Sequence, residues 1–350
     1  MLGLVTSASG PERGKRRPAT MGDVAKLARV SQQTVSRVVN AHDYVGEETR
    51  ERVLTAMRRL NYRPNAAAQA LVTGRSKTLG LIGTDTVAFG PASVQLGLER
   101  AAHAHGYTVN VARLASLDRG ALFRAVEQLQ RQSVDGILLN AGQDGITGEL
   151  DRQLIDVPLV AVEDTPEAVV PVVTVDQVAG AAAATRLLLD LGHRTVSHIA
   201  GPEDWSSARR RIEGWRAVLE SAEVPVPPPQ FGDWSVRSGY ELGRLLAEDR
   251  DVTAIFAAND EMALGVMRAM FEAGREVPRD VSLIGFDDVP FARYLTPPLT
   301  TVRQDFEEIG ERSVQLLLDA IGGVDHTPVR AAITPELVVR DSSAPAVIRA

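Results

Sequence analysis

Residues 23–40, DVAKLARVSQQTVSRVVN, read as two short helices around a tight turn, with Ser31 placed to N-cap the second. Val24, Leu27 and Ala28 recur at helical spacing before the turn, and Val35, Val38 and Val39 after it. Each helix therefore has one apolar stripe to bury against the other. That pairing confines the segment to a helix-turn-helix and turns the polar side of its second helix outward. Gln32, Gln33, Ser36 and Arg37 fall on the exposed first turns of that helix. Amide and guanidinium groups there match the donor and acceptor pattern of base edges in the major groove. An uncommitted amphipathic surface helix is the plainer alternative, and the distribution of charge argues against it.

The chain as a whole is acidic, with 38 Lys and Arg against 45 Asp and Glu. Its first 77 residues reverse this, holding 14 basic and 6 acidic side chains, a net +8 that leaves −15 for residues 78–350. A basic head on an acidic body confines phosphate binding to one end. At 350 residues and 44% hydrophobic content, the chain can fill a small domain and one or two larger ones. Nothing in it spans 18 apolar residues, and residues 1–5 are too short for a signal-peptide core, so neither export nor membrane insertion is expected. With no cysteine, disulfides and thiolate metal sites are excluded, which fits a reducing compartment. Residues 1–19, rich in Gly, Ser, Pro and Arg, read as a disordered leader, and Met21 at the head of the folded region offers an alternative start.

Residues 47–60 form a third amphipathic helix, with Val53, Leu54, Met57 and Leu60 expected on its buried face. Pro64 then stops the preceding element, and Asn65 can cap an Ala-rich stretch of little more than two turns. A helix that short is marginal alone in water and is expected to fold only when docked.

The run VSQQTVSRVVN, followed by NYRPNAAAQAL, closely resembles the DNA-binding head and hinge of the lactose-repressor and galactose-repressor family of bacterial transcription regulators. The resemblance implies a DNA-contacting set of Ser31, Gln32, Gln33, Thr34, Ser36, Arg37 and Asn40 in the head, with Asn65 and Leu71 in the hinge. Gln32, Gln33 and Arg37 fall on its base-contacting positions. Leu71 falls on the wedge that paired hinge helices insert into the minor groove. One departure is Arg29, where the family often has glycine; a positive φ there would cost on the order of 1 kcal/mol and suggests an added phosphate contact.

From residue 79 the pattern changes to apolar strand runs at 79–83, 109–112, 136–139, 159–162, 196–200, 254–257 and 281–285. Helical stretches such as 94–105, 121–132 and 179–191 separate them. Buried strands joined by crossover helices mean parallel α/β sheets. Two such units, about 78–174 and 175–302, with the chain from about 303 returning to the first, make a two-lobed clamp with a ligand cleft at the strand ends. This resembles the periplasmic sugar-binding-protein fold, which the regulatory core of the family shares.

A free sugar presents hydroxyls around a small apolar face, so its site needs carboxylates, amides and guanidinium groups beside an aromatic plate. The second unit offers these in its strand-to-helix loops. Asp287-Asp288 follows the strand expected to end at Gly285, Asn259-Asp260 follows 254–258, Trp234 lies in GDWS, and Arg211 precedes Gly214-Trp215. On the family pattern Arg211, Asn259 and Asp287 hydrogen-bond the effector, Trp234 packs on its ring, and Gln304 and Phe306 enter from a crossover. In the first unit, Phe89-Gly90-Pro91 precedes a helix whose N-terminus faces the cleft, Val94 can add an apolar contact, and Glu163 matches a carboxylate of sugar-binding members. Asp288 reads equally as a loop cap, Trp215 as core, Arg209 and Arg210 as solvated, and His193 as structural.

Catalysis finds no footing. There is no Gly-x-Ser-x-Gly elbow, phosphate-binding glycine loop or dinucleotide fingerprint, and His103 and His105 point apart on one helix. Adjacent Asp287 and Asp288 diverge, with no His or nucleophile spaced to complete a site.

The expectation is thus a helix-turn-helix head on an α/β two-lobed periplasmic-binding-protein-like core of parallel sheets, without catalytic residues, metal or cofactor. Its divisions are a leader at 1–19, the head at 20–63, a hinge at 64–77, the core at 78–341 and a tail at 342–350. Within the core, 78–174 with 303–332 form one subdomain, and 175–302 with 333–341 the other. Such a chain represses transcription from a pseudo-palindromic operator and is released by a small sugar. Residues 232–235 and 258–265 resemble the lactose-repressor branch, which tilts the effector toward a galactoside or related glycoside. The alternative is a corepressor-dependent regulator answering to a purine or other small molecule. No leucine heptads follow Arg340, so a homodimer without a tetramerising coiled coil is expected, in the bacterial cytoplasm at the nucleoid.

Overall fold

The computed structural model describes residues 17, 19–40, 44–64, 66–84, 88–114, 116, 118–140, 142, 156–162, 170–324 and 329–347. The chain divides into two compact units, Met1–Ser76 and Lys77–Ala350.

The first unit contains α1 (Met21–Ala28), α2 (Gln32–Val39), α3 (Glu47–Leu60) and α4 (Ala66–Thr73). Thr20 and Asp23 start α1 with a reciprocal capping box. Arg29 ends it in the left-handed region at φ 55°, so the turn keeps its backbone shape without glycine. Ser31 caps α2 by accepting from the Thr34 N–H at 3.0 Å. The core of the three helices is Val24, Ala25, Ala28, Val35, Val38, Val53 and Ala56. Two expected core residues are displaced: Leu27 and Leu54 are exposed, and Ala25 and Ala56 take their places. Small side chains fill the centre between the three helices, while the two leucines fall on the rims of their stripes. Val39, Met57 and Leu60 are half-buried around this centre.

The second unit begins with β1 (Thr78–Thr84), α5 (Phe89–Ala104), β2 (Thr108–Leu114), α6 (Arg119–Arg131), β3 (Gly136–Asn140), β4 (Leu159–Val162) and β5 (Val172–Val175). It continues through α7 (Gln177–Asp190), β6 (Ser197–Ala200), α8 (Ser206–Ser221), β7 (Gln230–Phe231), α9 (Val236–Glu248), β8 (Ala254–Ala257), α10 (Asp260–Glu272), β9 (Ser282–Asp287) and β10 (Thr300–Arg303). It ends with α11 (Phe306–Ile321), β11 (Arg330–Ile333) and β12 (Glu336–Val338).

Two sheets form, in the orders β11-β5-β4-β3-β1-β2 and β12-β10-β9-β8-β6-β7. Neighbouring strands pair in parallel except β12, which lies antiparallel on β10. Each sheet is covered on both faces, giving two core clusters per lobe. The chain passes between lobes three times: from β5 to α7, from β10 to α11, and from β11 to β12. Strand order reverses at β1 in one sheet and at β6 in the other, so the loops at the carboxyl ends of the strands face a crevice.

Three details differ from the sequence reading. Phe89, Gly90 and Pro91 do not precede α5 but form its first turn, where a proline lacks no intrahelical partner. β9 runs on to Asp287, which is therefore a strand residue. The expected tail is built into the second lobe as far as Ala346: Ser342 is fully buried, donates to Leu283 O at 2.6 Å and accepts from Thr300 N at 2.8 Å, and Ala346 N donates to Leu191 O. His193 joins this packing through Thr253 Oγ1 at 3.0 Å and Ala344 O at 3.2 Å.

Candidate functional site

Two sites arise, one in each unit. In the first, Ser31, Gln32, Gln33 and Arg37 are exposed along one side of α2, with Thr34, Ser36 and Asn40 half-buried beside them. Burial of Val35 and Val38 on the opposite side fixes which side faces solvent. Asn40 does more than end the helix. Its Nδ2 donates to Ser36 Oγ at 3.4 Å, and its Oδ1 accepts from Gln69 Nε2 on α4 at 3.1 Å. Leu71 on α4 is 88% exposed, an apolar side chain left uncovered among the described residues of its unit. Asn65 lies outside the described residues.

In the second unit, a cleft is lined by Phe89, Pro91, Arg211, Trp234, Asn259, Asp287, Gln304 and Phe306. Val94 lines it as well, while Glu163 lies outside the described residues. Two aromatic corners bound it. Phe89 of α5 meets Phe306 of α11 edge to face at 5.8 Å, and Trp234 meets Trp205 in the same manner at 5.8 Å. Trp234 adopts φ 70°, a left-handed turn held by Asp233, which accepts from Ser235 N at 3.0 Å, and by Asn259. Asn259 serves the scaffold with both ends of its amide. Its Oδ1 caps α10 through Met262 N at 2.8 Å, and its Nδ2 donates to Trp234 O at 3.0 Å.

The polar side of the cleft is a ring of four buried side chains. Arg211 Nε donates to Gln177 Oε1 at 2.8 Å, Gln177 Nε2 donates to Gln304 Oε1 at 3.0 Å, and Gln304 Nε2 donates to Asp287 Oδ1 at 2.6 Å. Asp287 Oδ1 returns to Arg211 Nη2 at 3.7 Å. Arg211 is fixed further by a bond to Ala258 O and by the Phe286 ring, 3.7 Å from its guanidinium carbon. Burial pushes the Asp287 carboxyl up to about 6, against the opposing pull of Arg211 and Gln304. Its neighbour Asp288 differs. Burial would raise it, but hydrogen bonds from Arg340 at 2.6 Å and Arg303 at 2.7 Å hold it below its ordinary value. Asp288 is thus a structural anchor for β10 and the segment after β12, and it does not line the cleft.

Asp260 is fully buried, accepting from Thr301 Oγ1 and from Val289 N at 2.9 Å, and burial with nearby Asp287 raises its carboxyl well above the ordinary value. Trp215 is core, its Nε1 donating to Val196 O at 2.9 Å. Arg209 and Arg210 stay at the surface, on Glu203 O and Glu213. The sequence reading missed Gln177, Trp205 and Ser207, which all line the cleft. Gln177 follows a four-residue strand that the hydropathy pattern did not reveal; Trp205 and Ser207 lie just ahead of Arg211, on the loop and first turn of the same helix.

Known proteins share this construction. Residues 20–65 match the model of bacterial regulatory proteins of the lacI family, and residues 185–343 match the periplasmic binding protein-like domain. The lactose operon repressor of Klebsiella pneumoniae is 35% identical over 332 residues, covering 94% of each chain. The transcriptional repressor PurR of Haemophilus influenzae is 34% identical over 333 residues, covering 93% of this chain and 98% of its own. A solved lac repressor dimer bound to operator and the anti-inducer ONPF superposes with a TM-score of 0.85 at 33% identity, over 94% of this chain and all of that one. With a helix-turn-helix unit and a two-lobed core both matched, and relatives of this similarity along almost its whole length, the chain belongs to the lacI family of bacterial regulatory proteins and is a DNA-binding transcriptional repressor.

Proposed function

We propose that the chain holds a pseudo-palindromic operator as a homodimer and is released from it by a small sugar or glycoside bound in the cleft. One observation carries the effector class: Arg211, Asp287, Gln304 and Gln177 join around the same cavity that Trp234 walls. A pyranose needs this combination, hydroxyl partners at its edge and an apolar plate for its C–H face. A purine base would stack in the aromatic corners, but it has no hydroxyl that both accepts from Arg211 and donates to Asp287. Among sugars, the GDWS turn and the residues after Ala258 favour a galactoside or related glycoside.

On the DNA side, Gln32, Gln33 and Arg37 read base edges, and Ser31, Thr34, Ser36 and Asn40 support them from the same helix and its ends. Asn65 and Leu71 act in the hinge, where the exposed leucine is a wedge for the minor groove. Two cores hold two hinges side by side. A sugar that binds better to the arrangement separating them lowers operator affinity by the coupling energy, typically ~1–3 kcal/mol. A regulator of chromosomal DNA works in the cytoplasm, and among the described residues no helix is long and apolar enough to cross a membrane.

Isothermal titration with lactose, cellobiose and hypoxanthine, followed by gel shifts on selected operator DNA, tests the reading. Binding of a disaccharide that weakens the operator complex is the expected result. Binding of hypoxanthine with tightening of the operator complex would replace it with the corepressor reading.

A further inference from the structure

Gln177 occupies the point where the cleft meets the passages between lobes. It is the first residue of α7, immediately after the β5 crossover, and Gln304 lies on the β10 crossover. Their side chains are buried against each other, Gln177 Nε2 donating to Gln304 Oε1 at 3.0 Å. One residue earlier, Asp176 N donates to Ile333 O at 2.9 Å, which ties the first crossover to the third. Residues 176 and 177 therefore fasten all three crossovers together.

The same glutamine sets the direction of the ring. A guanidinium only donates and an ionised carboxylate only accepts, so both amides between Arg211 and Asp287 are oriented without ambiguity. Gln177 presents oxygen to Arg211 and nitrogen to Gln304, and Gln304 presents nitrogen to Asp287. The ring has one long link, the 3.7 Å between Arg211 Nη2 and Asp287 Oδ1. A ligand hydroxyl placed there accepts from the first and donates to the second, forming a second donor chain from Arg211 to Asp287 beside the one through the two glutamines. A group that only accepts leaves Asp287 without a new donor.

Resting on the sugar reading above, we infer that Gln177 is a positioning residue that ties occupancy of the Arg211–Asp287 link by a sugar hydroxyl to the geometry of the lobe crossovers. It sets Arg211 for the ligand on one side and holds the β10 crossover on the other. Occupancy of the link draws on both, so the crossovers respond through Gln177.

Hydrogen–deuterium exchange and operator binding on the full chain test this with Gln177→Leu and Gln177→Glu. In the ligand-free protein, Gln177→Leu should speed exchange in peptides spanning residues 174–178 by about tenfold, with peptides from β4 and β8 unchanged. At saturating lactose or cellobiose, the ratio of operator affinities without and with sugar should fall toward one. Gln177→Glu keeps an acceptor for Arg211 Nε but has no donor for Gln304, so it should restore sugar affinity more than it restores that ratio. Unchanged exchange around Asp176 in both variants overturns the proposal, and so does a wild-type operator ratio in Gln177→Leu. If the wild-type chain binds neither disaccharide, the sugar reading fails by itself, and the exchange measurement still decides the role of Gln177.

Discussion

Gly201 is the seat of Trp234: a Cβ built on Gly201 would lie 2.6 Å from Cε2 of the indole and overlap its six-membered ring. The glycine, in the loop between β6 and α8, lets the plate rest against backbone while Trp205 from the same loop meets it edge on. Gly201→Ala therefore forces the indole out of place, an overpacking cost of ~1–3 kcal/mol that falls on the cleft. Sugar affinity should drop about tenfold or more, with operator binding in sugar-free buffer retained. Titration calorimetry and tryptophan fluorescence measure both halves, and unaltered sugar affinity would remove Trp234 from the site.

On the proposed sugar reading, the raised Asp287 carboxyl gives effector binding a pH dependence within reach of ordinary buffers. With its folded value at about 6, the group is an acceptor-only carboxylate above that and protonated below it. Sugar affinity should weaken several-fold as pH falls from about 7.5 to about 5, with a midpoint near that value. Stability runs the other way. A carboxyl whose folded value exceeds its unfolded one binds more protons when folded, so this group's contribution falls as pH rises between about 4 and about 6 and is level above. Asp287→Asn should flatten the affinity profile and remove this group's part of the stability profile; a pH dependence of affinity that survives it would belong to another group.

Arg37 is exposed on α2 one turn after Gln33, on the side opposite the buried Val35. Arg37→Ala should weaken operator binding by ~1–3 kcal/mol and leave binding to random DNA comparatively intact, the signature of a bidentate base contact. Gel-shift titrations on both DNAs report the difference. Equal losses would reassign Arg37 to a phosphate.

Arg275 is a buried cation held by carbonyls. It donates to Asp249 O at 2.9 Å, to Leu246 O at 3.3 Å and to Val252 O, gathering the end of α9 and the start of β8. Arg275→Met fills the space but removes the charged donor from Leu246 O and Val252 O and one of the two donors to Asp249 O, which also accepts from Val252 N, a loss of ~3 kcal/mol or more. Thermal denaturation of the two proteins checks it, and a shift of the midpoint near zero would show that water reaches these groups.

What could be read in the chain follows from how local each signal is. Ser31 and the valine stripe of α2 act within one turn of helix, and the strands at 79–83, 136–139 and 159–162 are continuous apolar runs, so both were legible. β5, β7, β11 and β12 span two to four residues and exist through partners far away in sequence, as when Val172 pairs with Arg330. Leu27 and Leu54 have the right spacing but sit where two stripes only graze, which periodicity does not resolve. In the cleft, Arg211, Trp234, Asp287, Gln304 and Phe306 were found through family resemblance and line one cavity. Asn259 lines it too, yet its amide is spent on α10 and Trp234. A lone glutamine such as Gln177 carries no local mark of its partners, because those lie 34 and 127 residues away.

The hinge supplies the last test, through the bond from Gln69 Nε2 to Asn40 Oδ1 at 3.1 Å. α4 has only eight residues, too few to be stable alone in water, and it packs no large apolar side chain at Leu71, which is exposed. A side-chain tie to the end of α2 thus favours the helical form and sets Leu71 in register with α2. Gln69→Ala should remove a neutral hydrogen bond worth roughly 0.5–1.5 kcal/mol and lower operator affinity by a similar amount. The fold of α1–α3 should be untouched, since among the described residues their core draws its side chains from α1, α2 and α3. The bend imposed on operator DNA should fall with affinity, because fewer hinges are helical at any moment. Circularly permuted gel shifts read the bend, and amide chemical shifts of residues 21–60 report the head. An unchanged bend and affinity in Gln69→Ala would mean that the hinge is ordered by DNA alone.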